Sequence, residues 1–127
     1  PYFCRSLISQ ALNHAKQKSM SGARVLILGV SYKPDIGDVR ESPALKLIEL
    51  LRTAGADVAY HDPHVPKLAE HGLQSVPLEP EAYDCVTIVT DHSAVDYDDL
   101  VDRASLIVDL RNATGDKGKR AEHVWKL

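Results

Sequence analysis

Lys33 and Arg40 share one short polar loop and have the plainest chemical use in this sequence. Lys33 offers a compact ammonium, which binds phosphate oxygens as a point charge. Arg40 offers a planar fork suited to bidentate oxygen recognition, or to a salt bridge with Asp38 or Glu41 on the same loop. Tyr32 stands directly before the lysine. A third cation, Arg111, follows the apolar run Leu106 to Leu110 and so emerges at a strand end, with Asp109 as an alternative partner. The chemistry these four residues suggest is capture of an oxygen-rich anion.

Other chemistries find less support. Six histidines invite a metal reading, yet His61 and His64 have HxxH spacing across a strand end and an Asp–Pro turn, not along a helix face. H-E-x-x-H is absent and no Cys lies near to complete a zinc set, so the metal reading is rejected and no metal site is expected. Asp91–His92 has no nucleophile-elbow Ser beside it and reads as a turn-stabilising pair. Asp62 ends a strand where a dinucleotide fold would put its ribose-binding acid, but Pro63 follows and favours a turn. A phosphoacceptor receiver would carry acids after its first strand, where this chain has Gly29-Val30-Ser31. Cys4 and Cys85 lack CxxC spacing and read as reduced thiols of a cytoplasmic protein.

The elements that must position the cations are legible. Val25 to Leu28 is a continuous apolar run closed by Gly29, the mark of a strand buried on both faces. About a dozen residues later Ser42–Pro43 supplies an N-cap and a first-turn proline for a helix reaching Ala54, with Ala44, Leu47, Ile48 and Leu51 on one face and Gly55 as its stop. Strand, loop and helix N-terminus together make an anion site, because helix N-termini leave N–H groups free. The loop has no GxGxxG.

Further strands are expected over Asp57 to His61, Cys85 to Val89 and Leu106 to Leu110. Helical segments are expected over Tyr2 to Lys18 (inner face Cys4, Ile8, Ala11 and Ala15), Pro66 to His71, Glu79 to Tyr83 and Tyr97 to Val101. Leu73 to Leu78 stays open between strand and loop. The basic tail from Gly115 should dock through Val124, Trp125 and Leu127. Strands alternating with helices call for an α/β fold: a Rossmann-like, doubly wound parallel sheet of four to five strands, preceded by an N-terminal helix.

With 127 residues, 44% hydrophobic and 26% charged, the chain is one ordinary globular domain. A formal net charge of −3 with scattered basic residues argues against nucleic-acid and membrane surfaces. No apolar run approaches a bilayer span. The start at Pro1, without Met, suggests a piece of something longer.

The order Gly29-Val30-Ser31-Tyr32-Lys33-Pro34, Asp38-Val39-Arg40-Glu41-Ser42-Pro43-Ala44, Gly55-Ala56-Asp57-Val58 and His61-Asp62-Pro63 resembles the C-terminal domain of the UDP-glucose/GDP-mannose dehydrogenase family. The resemblance continues through Thr90-Asp91-His92 and Val108-Asp109-Leu110-Arg111-Asn112-Ala113, so it spans nearly the whole chain. Many members have two acidic residues before the Val-Arg step; here the first is Gly37.

That resemblance implies the UDP-sugar-binding portion of an NAD-dependent nucleotide-sugar 6-dehydrogenase, which oxidises a sugar C6 alcohol to the carboxylate. Residues 1–20 would end a connecting helix region and 21–127 would be the binding domain. Tyr32, Lys33 and Arg111 would contact the UDP-sugar, and Arg40 would reach NAD held mainly by an N-terminal domain. The family's nucleophilic Cys sits in a Gly-rich context that neither Cys4 nor Cys85 has, so no catalytic residue is expected here. The wording looks closest to the UDP-N-acetylhexosamine branch, then UDP-glucose, then GDP-mannose. The full-length enzyme would be a cytoplasmic homo-oligomer. A stand-alone nucleotide-sensing or assembly module remains the alternative.

Overall fold

A computed structural model describes residues 1–127. The apolar run forms strand β1, Arg24–Leu28, buried everywhere except at Arg24. Val25 and Ile27 face a core shared with helices α1 (Tyr2–Lys16) and α2 (Pro43–Thr53). Leu26 and Leu28 face a second cluster built around helix α3, Tyr97–Arg103. Burial on both faces explains why the run has no polar alternation.

Strand β2 is Asp57–His61, β5 is Cys85–Ile88 and β6 is Ile107–Asp109. Between them the short β3, Lys67–Leu68, and β4, Leu73–Gln74, form a separate antiparallel pair. The tail supplies helix α4, Gly115–Lys119, and strand β7, Val124–Lys126. The main sheet runs β2-β1-β5-β6-β7 and is parallel throughout. Leu28 is level with His61 on one side and Ile88 on the other, and Ile88 is level with Asp109. The carboxyl ends of four strands therefore form one row. The order reverses between β1 and β5, and the crevice beyond such a switch point is where open α/β sheets bind ligands.

Helix α2 starts as its cap residues dictate. Ser42 Oγ accepts from the Ala44 N–H at 3.3 Å, Pro43 occupies the first turn, and the expected stripe of Ala44, Leu47, Ile48 and Leu51 is buried. Gly55 takes the left-handed backbone (φ 94°) that ends it.

Several local expectations need correction. Helix α1 ends at Lys16, with Gln17 left-handed, and Ala15 is exposed: the buried stripe closes at Leu12, one turn early. Pro66 to His71 is not one helix. Lys67–Leu68 is drawn into the β3–β4 pair, which leaves only Ala69–His71 as a single 3-10 turn closed by Gly72. The tail docks through β7, where Trp125 meets the His14 ring edge-on at 5.7 Å, but Leu127 stays exposed. Both cysteines are free thiols, Cys85 fully buried. No helix is long and apolar enough to cross a membrane.

Candidate functional site

The site begins at Gly29, the first residue past β1. Its φ is +87°, and a Cβ there would stand 2.6 Å from the Thr90 carbonyl oxygen. The exits of β1 and β5 therefore touch, and only glycine allows both the backbone sign and the approach.

The next two peptide N–H groups, of Val30 and Ser31, donate to Asp62 Oδ2 at 2.8 and 3.2 Å. Asp62 follows β2, and its side chain is closed to solvent. Asp62 Oδ1 accepts the His64 N–H at 2.8 Å, which makes the expected strand-ending turn. Across the end of β1, His92 Nε2 lies 2.9 Å from Asp62 Oδ2. The other ring nitrogen of His92, Nδ1, accepts the Asp35 N–H at 2.8 Å. That acceptance fixes a neutral imidazole with its hydrogen on Nε2, donating toward Asp62.

Further bonds complete the clamp. Ser31 Oγ donates to the Lys33 carbonyl at 2.9 Å, Thr90 Oγ1 donates to the Ser31 carbonyl at 2.8 Å, and the Tyr32 N–H donates to the Asp38 carbonyl at 2.6 Å. The Asp35 carboxylate accepts the Ser93 N–H at 2.7 Å and the Ser93 hydroxyl. A long loop with no regular secondary structure is thus fixed on both sides of Lys33. The fixation leaves the Lys33 side chain exposed.

Charges in the clamp are set by these bonds. Burial pushes the Asp62 carboxyl up, but the Val30 N–H, the His92 ring and the His64 N–H outweigh it and hold it below the usual carboxylate range. The Arg40 fork and N–H hold Asp38 at about 2.

Tyr32, Lys33 and Arg40 line one open groove with Ile36, Asp38 and Glu41. Arg40 also makes the loop pair foreseen as its alternative: Nε and Nη2 bond Asp38 Oδ1 and Oδ2 at 3.0 and 2.9 Å, with its side chain 87% exposed. Arg111 lies apart from these three. It lines a cavity of about 180 Å³ with Cys4, Pro43, Leu47, Val89 and Leu110 among its walls. Its guanidinium does not pair with Asp109; Nε donates to the Val89 carbonyl at 2.8 Å, which turns it from β6 toward β5. Glu41 lines the groove and Pro43 the cavity, so both hollows have a wall at the start of α2.

Asp109 does for β6 what Asp62 does for β2. Buried at the strand end, it accepts from the N–H groups of Arg111, Ala113 and Thr114 and from the Thr114 hydroxyl. Sequence reasoning assigned turns to Asp62 and to Asp91–His92 separately and missed that Asp62 and His92 bond to each other. The available signal was position: each stands just past a strand end.

Residues 26–116 match the family described as the UDP-glucose/GDP-mannose dehydrogenase family, UDP binding domain. A UDP-N-acetyl-D-mannosamine dehydrogenase of Pyrococcus horikoshii is 34% identical over 117 residues, covering 88% of this chain and 27% of that protein. A UDP-glucose 6-dehydrogenase of Rhizobium meliloti is 31% identical over 102 residues, covering 72% and 23%. The solved UDP-D-ManNAc dehydrogenase of Pyrococcus horikoshii superposes with a TM-score of 0.78 at 27% identity, over 99% of this chain and 30% of that one. The chain thus spans less than a third of the length of these relatives.

Proposed function

Since the chain belongs to the UDP-glucose/GDP-mannose dehydrogenase family, we propose that it serves as the UDP-sugar-binding part of an NAD-dependent nucleotide-sugar 6-dehydrogenase, one that oxidises a sugar C6 alcohol to the carboxylate. The observation that carries this reading is the Lys33 loop, held by Asp62 and His92 at the topological switch point with its ammonium free. A preset loop binds a diphosphate without the ordering cost of a mobile one. Lys33 would meet the diphosphate as a point charge, and Tyr32 would contribute backbone and ring. Arg111 would close on the nucleotide end from the β6 side. The sugar would be a UDP-N-acetylhexosamine before UDP-glucose, and GDP-mannose last.

NAD finds little in this chain to hold it. The loop after β1 has no glycine-rich phosphate turn, and the exposed Arg40 would reach the cofactor from outside. NAD would be the hydride acceptor, bound mainly by an N-terminal domain, and the nucleophilic Cys would lie in the middle of the full enzyme, outside this chain. This chain's own part is binding and orientation. The working enzyme would be a homo-oligomer, and the free Cys4 and Cys85 suit a reducing compartment such as the cytoplasm.

Calorimetry of this chain with UDP, GDP and NAD in turn tests the reading. UDP should bind, weakly, and the other two more weakly still. Equal binding of UDP and NAD, or none of UDP at millimolar concentration, would overturn it.

A further inference from the structure

Spacing in the sequence gave no metal site, yet folding gathers one set of ligands that spacing could not show. Asp35 from the loop after β1, His64 from the turn after β2 and His92 from the loop after β5 bring a carboxylate oxygen and two imidazole nitrogens within 4.8 Å of one another. We propose that these three residues bind a divalent ion of the zinc class, with Asp62 as the outer carboxylate that orients His92.

His92 is arranged as a metal-binding histidine is. Its Nε2–H donates to a buried carboxylate, Asp62 Oδ2, at 2.9 Å, which leaves the Nδ1 lone pair directed at the Asp35 side. Carboxylate–histidine–metal triads use this same outer bond to fix tautomer and ring orientation. Nδ1 is 3.8 Å from Asp35 Oδ1.

His64 has no competing use. Its backbone is held twice: its N–H by Asp62 Oδ1, and its carbonyl against Gly37, where a Cβ would sit 2.6 Å away. Its exposed ring lies tilted on the His92 ring at 4.8 Å between centroids, and no side chain bonds its nitrogens. Gly37, having no Cβ, is what lets the two loops pass this closely.

The donor set suits zinc. Two neutral imidazoles and one carboxylate, with a fourth position left to water, are a complete three-residue ligand set for this ion. Tetrahedral bonds of ~2.0–2.1 Å place ligand atoms about 3.3 Å apart, so atoms now up to 4.8 Å apart must draw in by as much as about 1.5 Å. The Asp35 N–H would give up His92 and turn to water, which its exposed position permits. The ion would staple three strand-exit loops together beside the Lys33 groove.

The test uses the chain stripped with chelator and titrated with Zn²⁺, read by calorimetry and thermal melting, and with Co²⁺, read by visible absorption. One ion should bind per chain, raise the melting temperature, and give the intense visible bands of four- or five-coordinate Co²⁺. His64→Gln should lower affinity at least tenfold and remove those bands while its metal-free melting point stays at the parent's, since that side chain is exposed. Asp35→Asn should weaken binding in the same direction. His14→Gln, on a remote helix, should leave Zn²⁺ affinity and the Co²⁺ bands at the parent's values. Undiminished binding in His64→Gln, or no binding by the parent below millimolar Zn²⁺, would overturn the proposal.

Discussion

His92 Nε2 and Asp62 Oδ2 meet at 2.9 Å where both side chains are closed to solvent. The two residues follow β5 and β2, which flank β1 in the sheet. Their contact therefore bridges the end of the strand between them and closes over the loop leaving it.

Asp62→Asn should destabilise the chain by about 2–4 kcal/mol, because N–H donors that now share a carboxylate would face an amide with a single acceptor. The folded carboxyl titrates below its unfolded value, so it adds stability above that value and loses it as pH falls through the folded one. The parent's lead over Asp62→Asn in urea unfolding should be full at about pH 5 and above and shrink below about pH 4. A lead that stays constant down to pH 2 would contradict the assignment.

Lys33→Ala and Arg111→Ala should each lose about 1.5–3 kcal/mol of UDP binding, roughly tenfold to hundredfold. Lys33→Ala should leave thermal stability unchanged, while Arg111→Ala, which takes its donor from the Val89 carbonyl, should also cost about 0.5–1.5 kcal/mol of stability. Added salt should narrow the Lys33 difference, since its ammonium is exposed. Because Arg111 lines a different hollow, the double variant should show nearly additive losses in calorimetry. Parent-like affinity in both single variants at low salt would remove them from the site.

Arg40→Lys separates cofactor contact from loop architecture. The Arg40–Asp38 pair is solvent-exposed, and such pairs add little to stability. Melting temperature and UDP affinity of this chain should hold. In the whole enzyme the Michaelis constant for NAD should rise well above any change for the sugar nucleotide, because Lys lacks the planar fork. If UDP affinity and melting point instead fall together, Arg40 belongs to the loop's scaffold.

Gly29→Ala should cost about 2 kcal/mol or more, since it combines a left-handed backbone with a Cβ driven into the Thr90 main chain. Gly72→Ala is the control: its φ is also positive, but its Cβ would meet nothing within 4 Å. Thermal melts should show the larger loss at Gly29 and, with it, weaker UDP binding.

What the sequence disclosed followed the range of the forces involved. The Val25–Leu28 run and the Ser42–Pro43 start are local signals, and the structure places β1 and α2 where they point. Strand β7 is three half-buried residues without an apolar run, and it exists because β6 offers it a free edge. Lys67–Leu68 was lost to a helix reading for the same reason: its partner, Leu73–Gln74, lies beyond a turn. The three candidate cations are present at the loops expected of them, but their division into groove and cavity depends on Arg111 bending toward Val89. The clamp is less legible still. Asp62 and His92 are 30 residues apart and meet only if β2, β1 and β5 adopt that order.

The same dependence gives the binding loop a place in time. Until β5 has joined β1, His92 is absent from the crevice; until β2 has joined from the other side, Asp62 is absent too. A chain paused at either stage has Lys33 on a slack tether, with nothing to fix its carbonyl or the N–H groups before it. Nucleotide capture should therefore be the last property to appear during refolding, after most of the apolar core has closed. A stopped-flow trace of UDP binding would then lag behind the recovery of helical signal. The clasp would then act as an inspection step, since only a correctly threaded sheet would present the loop for binding.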